Sequence, residues 1–225
     1  MQAFYNCKSL SSISIPVNIT SIGDYAFFGT GTIDNVYFEG SVIEWCKIKF
    51  SNNHSNPMSG GANLYCEGNI ITEAVFPENT THIGYAYYCC TSITSVVIPD
   101  YIVSIADGAF FNCSAITSIT IPDSVTKLGR HVFMGCESIT NIVLPDSVST
   151  ISDQAFEKCS KLTSITIPDS VTKIDTYAFW YCTSLESIVF LGTMEQWNAI
   201  TKIDRWNWDT GNYTVFCIDG NLSKQ

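Results

Sequence analysis

A period of 23 residues runs through this chain. Residues 121–143 read IPDSVTKLGRHVFMGCESITNIV and residues 144–166 read LPDSVSTISDQAFEKCSKLTSIT, with proline, cysteine and the apolar positions in the same places. A unit this short cannot enclose a core alone and buries its apolar side only by stacking on its neighbours, so the period implies a solenoid. Pro77, Pro99, Pro122, Pro145 and Pro168 stand 22, 23, 23 and 23 residues apart, and Pro16 shares their phase. Ahead of each proline, apolar residues alternate with polar ones, as in Ile165, Thr166 and Ile167, which is strand geometry. Copies translated along one axis pair their strands in parallel. Proline then ends each strand, having no N–H for the ladder.

After proline comes Asp-Ser-Val at residues 123–125, 146–148 and 169–171, with Asp100 in the same phase. This is turn chemistry, in which the carboxylate accepts a hydrogen bond from a nearby N–H. A column of acids could instead hold calcium, but no second acid or carbonyl-rich loop completes a coordination shell, so the turn is preferred. Apolar residues three and six after proline, such as Val148 and Ile151, form a second inward segment. Next stands Ala-Phe or a close variant: Ala3-Phe4, Ala26-Phe27, Ala86-Tyr87, Ala109-Phe110, Val132-Phe133, Ala155-Phe156 and Ala178-Phe179. A short helical turn there would set the ring into the core.

Ten cysteines would suggest disulfides in a small secreted chain, but here position outweighs count. Cys90, Cys113, Cys136, Cys159 and Cys182 recur at the repeat spacing, with Cys7 in the same phase and Thr30 replacing cysteine one copy later. That pattern predicts a column of small buried thiols. No CxxC pair occurs and His54, His82 and His131 share no ligand spacing with the column, so no metal or other cofactor is expected.

Proline, cysteine and Ala-Phe phased together resemble the BspA-like, treponemal type of leucine-rich repeat, AFxxCxxLxxIxIPxxVxxIG, over residues 3–38 and again from about 71 to 191. The resemblance implies a β-rich right-handed solenoid of parallel strands and short helical turns, and a role in attachment or recognition at a cell surface or after secretion. Two stretches break the period and resemble each other at an offset of 152: VYFEGSVIEWCKI from residue 36 and IVFLGTMEQWNAI from residue 188. Both carry a capping box, Ser41 with Glu44 and Thr193 with Gln196, so each predicts a short helix whose tryptophan packs on the solenoid flank. One solenoid over residues 1–225 is expected, with residues 41–70 as a long variant repeat and residues 191–225 as a related terminal repeat or cap. Met1 enters in mid-repeat, which fits further repeats or domains of a longer chain.

The net charge of −10 repels phosphate backbones, so no nucleic-acid partner is expected. No run of 18 apolar residues exists for a membrane span, and the start lacks the basic and apolar regions of a signal peptide. No GxSxG, HExxH or phosphate-binding glycine loop is present, so no catalytic residue is nominated. The candidate binding residues lie where the scaffold leaves freedom: Tyr37, Ser118, Thr120, Asn141, Val143, Ser164, Thr166 and Ser187 on the outer strand face, forming columns across coils. Trp206 and Trp208, in the polar loop after the second irregular helix, either meet a ligand or pack on the flank. Together these features predict a non-catalytic module that binds a protein or glycan. A structural spacer is the alternative, and an enzyme of another type a lesser one.

Overall fold

The computed structural model describes residues 2–224. Its first two coils hold β1 (Ser12–Ile15), β2 (Ser21–Ile22) and β3 (Asn35–Phe38). The first irregular stretch contributes α1 (Val42–Cys46), β4 (Lys49–Phe50), a 3-10 turn (Asn53–Ser55), β5 (Asn63–Cys66) and β6 (Asn69–Ile70). Regular coils follow, with β7 (Glu73–Ala74), β8 (His82–Ile83), β9 (Ser95–Val97), β10 (Ser104–Ile105), β11 (Ser118–Thr120) and β12 (Lys127–Leu128). They continue through β13 (Asn141–Val143), β14 (Thr150–Ile151), β15 (Ser164–Ile167), β16 (Lys173–Ile174) and β17 (Ser187–Phe190). The second irregular stretch supplies α2 (Met194–Ala199), β18 (Thr201–Lys202), β19 (Thr214–Cys217) and β20 (Gly220–Ser223). Together they make a β-solenoid of about nine turns.

Strand pairing keeps the repeat in register: Asn141 lies beside Ser164, Ser164 beside Ser187, and Ser187 beside Thr214, all parallel. The apolar members of each strand turn inward, and Ile142, Ile165, Ile167 and Ile188 are buried in one cluster that runs along the array. The outer strand face is not one sheet, however. It divides into β1-β3-β5-β6, β7-β9-β11 and β13-β15-β17-β19-β20. The predicted columns are therefore interrupted, with Tyr37 in the first sheet, Ser118 and Thr120 in the second, and Asn141, Val143, Ser164, Thr166 and Ser187 in the third.

The break between β6 and β7 has a local cause. After β5 the chain doubles back as the antiparallel β6 before β7 resumes the parallel direction, so three strands on this face follow one another before the second-face strand β8. Helix α1 packs into this junction. Trp45 is fully buried between Phe38 and Phe50 and donates its indole N–H to the Ala86 carbonyl at 2.8 Å. The backbone groups that the break leaves without a strand are met by side chains. The Tyr87 hydroxyl accepts from Val75 N at 2.7 Å and donates to Val75 O at 2.8 Å, and Ser92 Oγ accepts from Leu64 N at 3.2 Å. Both helices open on the expected capping boxes. Their tryptophans do not lie on the flank, because Trp45 and Trp197, 0% and 5% exposed, form part of the core. The shared glycine before each cap is a matter of space. A Cβ on Gly40 or Gly192 would come within 2.8 Å of the Phe38 ring or 2.7 Å of the Phe190 ring.

The Ala-Phe segment is not the predicted helical turn but a pair of tight turns. Gly108, Phe110 and Asn112 donate their N–H groups to the Arg130, Val132 and Met134 carbonyls of the next coil, at 2.8, 3.0 and 2.7 Å. A helix would keep those donors to itself. Turning alternate N–H groups along the solenoid axis places two residues per coil in the left-handed region, for example His131 (φ 56°) with Gly135 (φ 75°) and Gln154 (φ 56°) with Lys158 (φ 60°). Inside this wall, Phe110, Phe133, Phe156 and Phe179 stack at centroid distances of 5.8, 5.6 and 5.4 Å. The cysteine column is buried and unpaired as predicted, and it is also bonded: Cys113, Cys136, Cys159 and Cys182 donate Sγ–H to the Tyr87, Phe110, Phe133 and Phe156 carbonyls of the preceding coil, at 2.9 to 3.3 Å. Cys7 departs from the column and is exposed, since no described coil covers it.

The Asp-Ser-Val turn closes through Val125 N to Pro122 O at 3.0 Å and its equivalents. The predicted role of the carboxylate falls to the next residue. Asp100, Asp123, Asp146 and Asp169 are exposed and accept no hydrogen bond from the described residues, whereas Ser124, Ser147 and Ser170 donate to Ile102 O, Val125 O and Val148 O on the previous coil, at 2.7, 2.6 and 2.9 Å.

Candidate ligand-binding surfaces

On the strand face, the candidates differ in what they have free. Val143 is 59% exposed and its neighbour in phase, Val97, 66%, with Ser118, Thr120 and Asn141 exposed beside them. Tyr37 is 40% exposed and packs its ring 4.9 Å from that of Tyr65 across β3 and β5. Ser164, Thr166 and Ser187 are half-buried, and Ser187 Oγ donates to Ser164 Oγ at 2.8 Å. Rows of threonine hydroxyls at the strand starts also bond within the array, as Thr117 and Thr163 donate to Thr94 O and Thr140 O. This face thus presents methyl groups and rings more than free hydroxyls.

The two loop tryptophans separate. Trp206 is half-buried and meets Phe179, Trp197 and Tyr213 edge-on at 6.0, 6.1 and 6.2 Å, closing the end of the aromatic stack. It serves the core. Trp208, two residues on, faces outward, 47% exposed, with its ring 5.9 Å from and nearly parallel to Trp180. The Arg205 guanidinium lies 5.1 Å from the Trp208 ring and donates to the Tyr177 hydroxyl at 3.0 Å.

Trp180 belongs to a surface that the strand-centred reading overlooked. The residue after each Ala-Phe pair lies on the flank formed by the tight turns: Tyr5, Phe28, Tyr88, Phe111, Met134, Glu157 and Trp180. Tyr5 stacks on Phe28 at 5.6 Å and Tyr88 on Phe111 at 5.0 Å. In the middle of the flank, polar side chains take over. His131 Nε2 lies 2.8 Å from Gln154 Oε1, Gln154 Nε2 donates to the buried Glu157 carboxylate, and Lys158 Nζ stands 3.5 Å from Glu157. The same 23-residue phase carried this signal in the sequence, at a position masked by the conspicuous Ala-Phe beside it.

Burial shapes the ionisation of the core. It pushes the thiols of Cys113, Cys136 and Cys182 well above the ordinary cysteine range, raises Cys46 to about 11, and raises Cys66 and Cys89 to about 12. The Tyr87 phenol is likewise raised, by burial first and by the Cys46 thiol next. Such thiols stay protonated and unreactive, so the column is a structural feature. No helix among the described residues is long and apolar enough to cross a membrane.

Among solved structures, a leucine rich cell surface protein from Faecalibacterium prausnitzii is similar at 27% identity and a TM-score of 0.64, covering 89% of this chain and 65% of that one. A leucine-rich repeat protein from Eubacterium ventriosum (17%, TM-score 0.60, covering 88% and 64%) and the pneumococcal vaccine antigen PcpA (16%, TM-score 0.51, covering 80% and 56%) share the fold. The chain spans less than two thirds of the length of each. No curated protein matches it. The BspA type leucine rich repeat region matches in six copies over residues 1–86 and 81–201, which accounts for the phased proline, cysteine and Ala-Phe columns, and the chain belongs to this family.

Proposed function

We propose that this chain is a non-catalytic recognition module, displayed at a cell surface or secreted, that holds a protein or glycan partner against its outer strand face. The observation that carries this reading is the exposure of Val97 and Val143, 66% and 59%, in phase with Thr120 and Thr166 on a chain that is otherwise strongly acidic. Exposed apolar side chains at the same repeat position, on either side of the cut between β11 and β13, form a low-relief surface suited to contact by area. The family, and the cell-surface designation of the Faecalibacterium protein, support the same reading.

The test is capture by immobilised extracellular-matrix proteins and arrayed glycans, comparing the natural chain with the double variant Val97→Lys, Val143→Lys. Both side chains are exposed, so folding is retained, while burying two lysines in an interface weakens capture at least tenfold, about 1.4 kcal/mol. Equal capture by both proteins removes the strand face from the reading, and no capture by either leaves the spacer.

A further inference from the structure

The flank of tight turns carries one gap. At the position before each Ala-Phe pair the copies present Gln2, Tyr25, Tyr85, Gly108, His131, Gln154 and Tyr177, and Arg205 takes the same place in the final loop. Glycine is not needed there for the backbone. Tyr25, His131, Gln154, Tyr177 and Arg205 hold φ between 54° and 61°, close to the 65° of Gly108, and all carry side chains. Nor does backbone close the space, because the nearest atoms to a Cβ on Gly108 are side-chain ones, Tyr88 Cε2 at 3.3 Å and Phe111 Cβ at 3.6 Å, and the Tyr88 ring would have to give by a few tenths of an ångström. The missing side chain opens a notch of about 330 Å³ between Tyr85 and His131, lined also by Tyr88, Phe111, Asp107 and Asn53.

The chemistry of the notch is one-sided. Tyr85 and Tyr88 meet at 6.1 Å and 76°, forming a corner of two rings, and Phe111 stacks parallel on Tyr88 at 5.0 Å, covering one of its faces. The amide nitrogen of Asn53 is directed at the Tyr88 hydroxyl at 3.3 Å, and the Nε2 of His131 donates to Gln154 Oε1. Asp107 accepts from Arg130 N with one oxygen at 2.8 Å, leaving the other oxygen without a partner among the described residues. The Arg130 guanidinium is paired with Asp153 at 2.7 Å and is attracted more weakly by Asp107, so Asp107 keeps part of its charge for a ligand. Ring faces and a carboxylate oxygen attract a cation that carries several donors, and they repel phosphate and carboxylate groups. The net charge of −10 draws such a ligand toward the protein.

We infer that the Gly108 notch receives the cationic tip of a lysine or arginine side chain on a partner protein. This rests on the recognition reading but adds to it a second contact, on a different face and with a stated chemistry. The notch is an anchor point, while the strand face supplies area.

The probe is a pentapeptide of glycines with a single central lysine or arginine, titrated against the whole chain while the backbone amides of Gly108, Phe111 and His131 are followed by NMR. Norleucine, acetyl-lysine and a neutral maltotetraose serve as controls. The expected result is saturable shifts of those amides with the two cationic peptides only, weakening as salt is raised. Gly108→Gln, which installs the side chain that position 154 carries in the same conformation, abolishes the shifts. Asp107→Asn, which keeps the acceptor for Arg130 N, weakens binding about tenfold and remains informative should the first variant fold poorly. Equal shifts with norleucine or acetyl-lysine, shifts with maltotetraose in place of the cations, or silence of these amides with every probe would each overturn the inference. The strand-face capture experiment is separate, so persistent capture by a chain whose notch ignores cations would sink this inference and leave the recognition reading standing.

Discussion

Tyr87 is the one hydroxylated ring in the column that continues through Phe110, Phe133, Phe156 and Phe179. Its hydroxyl replaces a missing strand, satisfying both the N–H and the C=O of Val75. Tyr87→Phe leaves the Val75 N–H without a partner and leaves Val75 O only the Cys46 thiol at 3.3 Å, so it is expected to lower unfolding stability by about 2 kcal/mol. Urea denaturation should show a reduced midpoint with an unchanged m-value. The exception was visible in the sequence, but its reason was not, because the sheet break it serves depends on β6 turning back. Cysteine presents the reverse case. Its spacing announced a buried column, yet the bond from each Sγ to the carbonyl of a ring on the previous coil emerges only from stacked coils. The aspartates after proline misled for a simple reason, since carboxylate and serine hydroxyl both suit a turn and only the serine position lies beside a carbonyl of the neighbouring coil.

The two irregular elements resemble each other in sequence but differ in what lies above them. Helix α1 is covered by the next coil, whose Ala86 carbonyl takes the indole proton of Trp45. Trp197 in α2 has the corresponding place and is equally packed on one side, against Phe190, but its indole N–H has no carbonyl partner among the described residues. Trp45→Phe should therefore destabilise the chain more than Trp197→Phe, by about 1 kcal/mol, measured as the difference between two chemical denaturation curves. Both helices and their caps could be read from Ser41, Glu44, Thr193 and Gln196, because capping is local. The fate of Trp206 could not, since a residue that alternates inward in a loop is recognised only by what it touches.

Across the whole molecule the buried thiols act together. Their folded values lie above the 9.0 of a free thiol, so a protonated column adds stability below about pH 9, and that stability is lost as pH rises toward the folded values and unfolded thiols shed protons first. Each fully buried thiol contributes about 1.4 kcal/mol of loss per pH unit in that window. Thermal unfolding followed from pH 7 to 10 should show a steep decline, shallower in Cys136→Ser, whose hydroxyl does not titrate. A flat profile would mean that the column opens to solvent. At this scale the 23-residue phase was enough to describe the solenoid and its parallel register. It could not show that the outer face is cut into three sheets, since β11 and β13 have ordinary sequences on either side of the cut.

That division governs how the array carries force. Coil-to-coil hydrogen bonds point along the axis, so tension applied between a bound partner and the far end loads them in series and stretches them end-on. Where β11 adjoins β13 without ladder pairing, the turn wall on the flank still joins the coils, through Gly108 N, Phe110 N and Asn112 N, and tension passes around the gap through that wall and the β10–β12 ladder. The flank that presents the notch is thus also the spine of the rod.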